Sequence, residues 1–123
     1  MAKILIVDDE LTIRDYLSIV VSELGHQPLC AENGKIGLEM VKKENPDLVI
    51  SDMVMPIMGG REFIENVRKL PQGDKMPIII TSGFAKIGEV SSLLEMGATY
   101  FLKKPVEKKE LQEYINKALN EFS

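Results

Sequence analysis

Short apolar runs alternate along this chain with longer segments whose apolar residues recur at helical spacing. Runs of this length are typical of buried parallel strands, and the longer segments are typical of amphipathic helices. The strands are predicted at about residues 3–7, 27–31, 48–51, 78–81 and 99–102. The helices are predicted at about residues 11–24, 34–44, 61–70, 86–96 and 108–122. This alternation predicts an α/β, doubly wound (βα)5 fold, with a parallel sheet between two layers of helices.

Charged residues follow three of the predicted strands. Asp8 and Asp9 follow the first strand, Asp52 follows the third, and Lys104 follows the fifth. Because ligands of open parallel sheets bind beyond the carboxyl ends of the strands, we expect these four side chains to converge on one site. Clustered carboxylates repel each other unless a proton or a cation compensates them. Oxygen ligands without His or Cys favour a hard divalent cation such as Mg²⁺, so the pattern predicts phosphoryl chemistry.

Asp52 is the predicted nucleophile, because a carboxylate can attack a phosphoryl group and form an aspartyl phosphate. Asp9, with Asp8 beside it, would hold Mg²⁺ directly or through water. Lys104 would supply a second positive charge to the phosphoryl oxygens. A simpler interpretation of Asp8, Asp9 and Glu10 is an acidic start to the first helix, stabilised by the helix dipole. The matching positions of Asp52 and Lys104 at other strand ends favour the shared site.

The composition is that of one ordinary globular domain. The chain has 123 residues, of which 45% are hydrophobic and 28% charged, and a formal net charge of −4. The negative charge argues against direct binding of nucleic acid, and no apolar run is long enough to span a bilayer. The single cysteine, Cys30, cannot form an internal disulfide, which predicts a cytoplasmic protein with Cys30 buried as a small apolar residue. We expect His26 to be solvated and to bind no metal.

The ordered set of motifs resembles the receiver domain of bacterial two-component response regulators, including the chemotaxis regulators, along the whole chain. The matching residues are Ile4–Val7 with Asp8-Asp9-Glu10, Asp52–Pro56 with Met58 and Gly60, Pro77–Ser82, Gly97-Ala98, and Tyr100–Leu102 with Lys104-Pro105. The resemblance implies a single receiver domain over residues 1–123. It also implies a flavodoxin-like, five-stranded parallel sheet of order 2-1-3-4-5 and a cis peptide at Lys104-Pro105.

The resemblance further implies that Asp52 accepts a phosphoryl group from a phosphohistidine on a sensor histidine kinase or a histidine phosphotransfer protein. It implies that Mg²⁺, with Mn²⁺ able to substitute, is bound by Asp9, Asp52 and the Val54 carbonyl, and by Asp8 through water. Kinase recognition is expected on the first helix by family analogy. Such a domain would be no enzyme beyond self-catalysed phosphoryl transfer and autodephosphorylation.

Two residues are expected to couple phosphorylation to the protein surface. Ser82 occupies the place of the family's hydroxyl residue; Thr81 competes for this role, but strand alternation turns adjacent side chains to opposite faces. Counting back from Lys104 puts the family's switch aromatic at Phe101 rather than at Tyr100. Phosphorylation would draw the Ser82 hydroxyl inward and let Phe101 rotate. The surface of the fourth helix, fifth strand and fifth helix would then repack for a downstream partner of unknown identity.

Val54 and Phe84 occupy the positions that tune the lifetime of the phosphoryl group in this family. Val54 lies two residues after the predicted acceptor, and Phe84 lies two residues after the predicted hydroxyl. Polar groups at these positions can orient an attacking water, whereas Val and Phe cannot. We therefore expect slow autodephosphorylation.

Several functions remain open from the sequence. The chain could be a stand-alone regulator, a phosphorelay shuttle or a receiver cut from a larger regulator, and its end soon after the last helix favours a single-domain protein. A monomer is expected, with dimerisation on phosphorylation as an open alternative. A Mg²⁺-dependent aspartyl phosphatase is less favoured, because such enzymes typically present Asp-x-Asp and Val54 stands two positions after Asp52. An interaction module that never accepts phosphate would have no need of Asp52, Asp9 and Lys104.

Overall fold

Five strands and five helices alternate along the chain in the computed structural model, which describes residues 1–83 and 87–122. The strands are β1 (Lys3–Val7), β2 (Gln27–Ala31), β3 (Leu48–Asp52), β4 (Ile78–Ser82) and β5 (Tyr100–Lys103). The helices are α1 (Leu11–Glu23), α2 (Gly34–Glu44), α3 (Gly60–Arg68), α4 (Ile87–Met96) and α5 (Lys108–Phe122). The predicted α/β alternation is confirmed. Among the described residues, no helix has the length and apolar character needed to cross a membrane.

The strands form one parallel sheet in the order β2-β1-β3-β4-β5, as the resemblance implied. In the ladder between β3 and β4, Asp52 pairs with Thr81. In the ladder between β4 and β5, Ser82 pairs with Lys103. All strands run the same way, so the carboxyl ends of β1, β3, β4 and β5 meet at one edge of the sheet.

Each face of the sheet is covered by its own apolar core. On one face, Leu5 and Ile80 pack with Phe63 of α3 and Leu93 of α4. On the other face, Ile4, Ile6 and Ile79 pack with residues of α1 and α5. Burial on both faces explains why β1, β3 and β4 are continuous apolar runs rather than alternating ones. Each fully buried aliphatic side chain contributes about 1.5–3 kcal/mol relative to an exposed one.

The element boundaries follow the predictions to within two residues. β3 and β4 each run one residue further than predicted, which places Asp52 and Ser82 in the last positions of their strands. α1 ends at Glu23, and Gly25 follows with a φ of 86°, a conformation that favours glycine. α3 ends at Arg68, two residues early, because a short 3-10 helix begins at Pro71.

Two predictions about the region around β2 are wrong. Cys30 is exposed rather than buried, because β2 is an edge strand and Cys30 is left uncovered there, with its Sγ 3.2 Å from the Ser18 Oγ. His26 is half-buried rather than solvated. Its Nδ1 accepts a hydrogen bond from the backbone N–H of Ala2 at 3.0 Å, which ties the start of the chain to the loop before β2.

The guanidinium of Arg68 joins the end of α3 to two other segments. Nη1 donates hydrogen bonds to the carbonyl oxygens of Gly73 at 2.6 Å and Met76 at 2.7 Å. Nε donates to the carbonyl oxygen of Gly97 at 3.2 Å. Burial lowers the pKa of Arg68, and the charge of Asp74 opposes that shift. Arg68 therefore links α3 to the segment before β4 and to the turn that ends α4.

Candidate functional site

Three charged side chains from separate strand ends meet at the carboxyl edge of the sheet. Asp8 follows β1 directly, Asp52 ends β3, and Lys104 follows β5. The Nζ of Lys104 lies 3.1 Å from Asp8 Oδ2 and 3.3 Å from Asp52 Oδ1. The convergence expected from the strand order is therefore present, across separations of up to 96 residues along the chain. The Lys104-Pro105 peptide is cis, as the resemblance implied.

Asp9 completes a group of three carboxylates. One carboxylate oxygen from each of Asp8, Asp9 and Asp52 lies within 4.8 Å of the others. Asp8 and Asp52 are buried, whereas Asp9 is exposed. An all-oxygen donor set with an exposed member fits a hard divalent cation that keeps several waters, as Mg²⁺ does. We call Asp8, Asp9 and Asp52 the acidic cluster.

The two buried carboxylates are held by short backbone contacts. Asp8 Oδ1 accepts a hydrogen bond from the N–H of Glu10 at 2.9 Å. Asp52 Oδ1 accepts one from the N–H of Met53 at 2.9 Å, and the ion pair with Lys104 uses the same oxygen. These contacts fix the orientation of the Asp52 carboxylate through Oδ1 and, among the described residues, neither of them uses its Oδ2.

The pKa values of Asp52 and Lys104 are both raised, but by different causes. Burial raises the pKa of Asp52, the charge of Asp8 raises it further, and Lys104 only partly offsets both effects. Burial lowers the pKa of Lys104, but the charges and hydrogen bonds of Asp52 and Asp8 outweigh it, and the net pKa is raised. Lys104 thus stays protonated, while ionised Asp52 carries an energetic cost that a bound cation would relieve.

The acidic cluster opens into a cleft of about 630 Å³, whose walls include Asp9, Asp52, Val54, Ser82 and Lys104. The side chain of Val54 is 72% exposed at the margin of this cleft. A phosphoryl group is small beside such a volume. The cleft therefore leaves room for the donor group of a second protein.

The loop after β3 is held tightly beside Asp52. The N–H of Gly60 donates a hydrogen bond to the Met53 carbonyl at 2.8 Å, and a Cβ at Gly60 would lie 2.8 Å from the Asp52 carbonyl oxygen. Ile57 has a φ of 69°, which is unusual for a β-branched residue, and its side chain is 75% exposed. Sequence reasoning identified the Met55-Pro56 turn but missed the left-handed conformation of Ile57, because no glycine or asparagine marks it.

The predicted switch residues lie where strand alternation puts them. Ser82 is buried and lines the cleft, whereas Thr81 lines a separate cavity bordered by α1. Phe101 is half-buried against the core that α3 and α4 cover. Tyr100 packs instead on the α1 and α5 side of the sheet. Phe84, the second predicted lifetime residue, lies outside the described residues.

Tyr100, on β5, contacts a cluster of α5 residues that could not be recognised from the sequence alone. Its hydroxyl donates a hydrogen bond of 2.5 Å to Glu121, and this contact, with the charge of Glu121, raises the pKa of Tyr100 to about 12. Its ring lies 5.1 Å from the ring of Tyr114, and the Lys117 Nζ lies 5.2 Å from the ring centroid. The spacing of these residues on α5 could have suggested a cluster, but only the sheet order brings Tyr100 to it.

Comparison with known proteins agrees with the fold and the site. The family model of the response regulator receiver domain matches residues 4–116. The chain therefore belongs to the receiver domain family of two-component response regulators. Receiver domains are signalling domains that interact with histidine kinases or phosphotransfer proteins.

Individual relatives cover almost the whole chain. The protein PilH of Pseudomonas aeruginosa is 36% identical over 97% of this chain and 98% of its own length. The sporulation initiation phosphotransferase F of Bacillus subtilis is 34% identical over 95% of this chain and 93% of its own length. The crystallised chemotaxis protein CheY4 of Vibrio cholerae is 32% identical, with a TM-score of 0.92 over 97% of this chain and 99% of that one. Other curated relatives are longer, and the chain covers 27% of one of them.

Proposed function

We propose that this chain is a phosphoacceptor switch in which Asp52 accepts a phosphoryl group from a phosphohistidine on a sensor histidine kinase or a histidine phosphotransfer protein. The observation that carries this proposal is the geometry of Asp52. Its carboxylate is buried, oriented through Oδ1 by contacts with Met53 and Lys104 that leave Oδ2 aside, and within 4.8 Å of two further carboxylates. A nucleophile with one oxygen fixed and the other available suits in-line attack on phosphorus.

In the proposed reaction, Asp52 Oδ2 attacks the phosphorus atom and forms the acyl phosphate bond. The bond between phosphorus and the donor imidazole nitrogen breaks, and the imidazole keeps the electron pair and takes up a proton. Lys104 lies beside Asp52, where its positive charge can stabilise the negative oxygens of the phosphoryl group. At about 4 Å and an effective dielectric near 20, its attraction to one phosphoryl oxygen is worth roughly 4 kcal/mol before desolvation. No further covalent chemistry is asked of the protein.

A divalent cation, Mg²⁺ in the first instance with Mn²⁺ as a substitute, would be held by Asp9, Asp52 and the Val54 carbonyl. When bound, the cation neutralises the acidic cluster and the oxygens of the incoming phosphoryl group. Asp8 is the residue suited to act through water. Its carboxylate is 1% exposed and already engaged by Lys104 and the Glu10 N–H, whereas Asp9 is exposed and open to direct coordination.

The response to phosphorylation is proposed to pass through Ser82 and Phe101. Ser82 lines the same cleft as Asp52, and Phe101 is half-buried on the strand that pairs with β4. A phenylalanine forms no hydrogen bond in either rotamer, so packing must set the free energy difference between the two states. Rotation of Phe101 would alter the surface formed by α4, β5 and α5, which we propose as the partner surface and the route to any dimer.

The lifetime of the phosphoryl group is proposed to be long. Val54 offers no polar group to an attacking water at the cleft margin, and Phe84 offers none from its own side chain. The variants Val54→Asn and Phe84→Glu, made together, should speed loss of phosphate. An unchanged rate of autodephosphorylation in the double variant would contradict this part of the proposal.

A phosphorelay shuttle is a second candidate role within the same chemistry. It is favoured by the 34% identity to a phosphotransferase of Bacillus subtilis, over 93% of that protein's length. The two roles differ in the fate of the phosphoryl group. A shuttle passes it on to a second histidine, whereas a stand-alone regulator keeps it until hydrolysis. Incubation of the phosphorylated chain with histidine phosphotransfer proteins separates the two.

The acceptor reaction is tested with acetyl phosphate and Mg²⁺, followed by intact mass measurement. The wild type should gain one phosphoryl group, and a chelator should abolish the gain. Asp52→Asn should gain none, whereas Asp15→Asn, a matched change at an exposed position of α1, should behave as wild type. The proposal fails if the wild type gains no phosphoryl group or if Asp52→Asn is modified equally.

A further inference from the structure

A second cavity adjoins the cleft beside Asp52 and lies between α1 and the segment that follows β5. Its volume is about 220 Å³. α1 contributes Ile13 and Leu17 to its walls, and the segment after β5 contributes Pro105 and Val106. These side chains offer water almost no hydrogen bonds, so the cavity favours an apolar occupant.

One buried polar group in this cavity lacks a partner. Thr81, on β4, lines the cavity and is 1% exposed. Within residues 1–83 and 87–122, its Oγ1 has no hydrogen-bond partner. Burial of a hydroxyl without a partner costs free energy, which a hydrogen bond from a ligand would recover. Lys104 also borders the cavity, but its ammonium is already paired with Asp8 and Asp52.

A hydrogen bond bridges the cavity between α1 and the segment after β5. The hydroxyl of Tyr16 donates a hydrogen bond to the Val106 carbonyl at 3.1 Å, and this contact is exposed. An exposed hydrogen bond opens at small cost, so local opening at Tyr16 and Val106 gives a ligand a route of entry.

We propose that this cavity binds a monocyclic phenol, with the ring against the apolar walls and the hydroxyl hydrogen-bonded to Thr81. An apolar cavity of about 150 Å³ is large enough to bind benzene. The volume of about 220 Å³ therefore holds one ring with one polar substituent. A hydroxyl suits the site because it donates and accepts, as the Thr81 hydroxyl does. A charged ligand is disfavoured, because the cavity offers no unpaired charge to offset its desolvation.

The cavity is distinct from the cleft beside Asp52 but adjacent to it. Ile13, Lys104 and Pro105 border both spaces. Thr81 borders only the cavity, while Ser82 borders only the cleft. Binding can therefore be tested on the unphosphorylated chain without divalent cations, so the result does not depend on the proposed phosphoryl chemistry.

The test titrates phenol and, separately, benzene into the full chain and follows amide and methyl resonances by NMR. We expect saturable shifts centred on Thr81, Leu17 and Val106, with phenol bound roughly tenfold more tightly than benzene, the factor typical of one buried hydrogen bond. Thr81→Val removes the hydroxyl at nearly constant shape and should abolish the preference for phenol while benzene still binds. Thr12→Val, an exposed change on α1, should keep the preference.

A second variant keeps the proposal testable if Thr81→Val does not fold. Val106→Phe fills the cavity from a half-buried position and should weaken both ligands at least tenfold. The proposal is overturned if the wild type gives no saturable shifts at the cavity residues, if Thr81→Val retains the full preference for phenol, or if Val106→Phe binds both ligands as tightly as the wild type.

Discussion

Removal of the Asp52 charge should stabilise the fold in the absence of divalent cations. The change Asp52→Asn keeps the shape of the side chain and removes one of three clustered carboxylates. The ion pair with Lys104, at 3.3 Å, contributes about 5 kcal/mol of attraction at an effective dielectric of 20. Asp8 and Asp9, each within 4.8 Å, contribute about 3.5 kcal/mol of repulsion apiece on the same basis.

The repulsion therefore exceeds the attraction by about 2 kcal/mol, and burial of the carboxylate adds to the cost. Screening by water around the exposed Asp9 reduces the difference. We expect Asp52→Asn to raise the free energy of unfolding at pH 7 by about 1–2 kcal/mol. For a chain of this size, that is a rise in Tm of roughly 3–8 °C.

The pH dependence of the free energy of unfolding should also show that the Asp52 charge is destabilising. The pKa of Asp52 is raised in the folded state above its ordinary value of 3.8, so the folded state binds its proton more tightly than the unfolded state does. Stability is consequently lost as the pH rises from 3.8 through the raised value. Asp52→Asn should remove this loss.

The assay is urea unfolding in chelator at several pH values, with Asp15→Asn as an exposed carboxylate control. The control should change the free energy of unfolding by less than about 0.5 kcal/mol. Mg²⁺ should stabilise the wild type by mass action and Asp52→Asn much less. A loss of stability in Asp52→Asn at pH 7 would refute the reasoning, because it would mean that the ion pair with Lys104 outweighs the repulsion.

Three further predictions concern Lys104 in the site and two residues outside it, Arg68 and Tyr100. Lys104→Met should lower the free energy of unfolding by about 2–4 kcal/mol in urea, because it leaves Asp8 buried without a counter-charge, whereas Lys103→Met should have little effect. Arg68→Met should cost about 2–4 kcal/mol, because it removes the donor for three carbonyl groups; Lys69→Met, at the exposed position after α3, is the control, and an equal loss there would contradict the prediction. Ultraviolet titration should give Tyr100 a pKa of about 12, and Glu121→Gln should return that pKa towards 10; no change would contradict the proposed hydrogen bond.

Much of the fold could be predicted because the parallel sheet is buried on both faces. Continuous apolar runs marked β1, β3 and β4, the signal for the edge strand β2 was the weakest, and Gly25 and Asn45, both of which adopt a positive φ, marked helix ends. The convergence of Asp8, Asp52 and Lys104 followed from one rule, that side chains after parallel strands share an edge of the sheet. Local pattern and global topology agree at these positions.

The features that could not be predicted depend on which elements become neighbours. Cys30 is exposed because β2 is an edge strand; Pro28 is typical of an edge, but it does not indicate how far the neighbouring helix covers Cys30. Arg68 resembles any surface arginine until the turns at Gly73 and Gly97 present their carbonyl groups to it. The unpartnered hydroxyl of Thr81 arises only where α1 and the segment after β5 enclose a cavity.

Trapping of the phosphorylated residue would identify the acceptor without reliance on a variant. Borohydride reduces an acyl phosphate to an alcohol, so a phosphorylated aspartate becomes homoserine and can be located by peptide mass spectrometry. After treatment with acetyl phosphate and Mg²⁺, we expect homoserine at position 52 alone, with Asp8 and Asp9 unchanged. Homoserine at position 8 or 9 with Asp52 intact would show that Asp52 is not the acceptor.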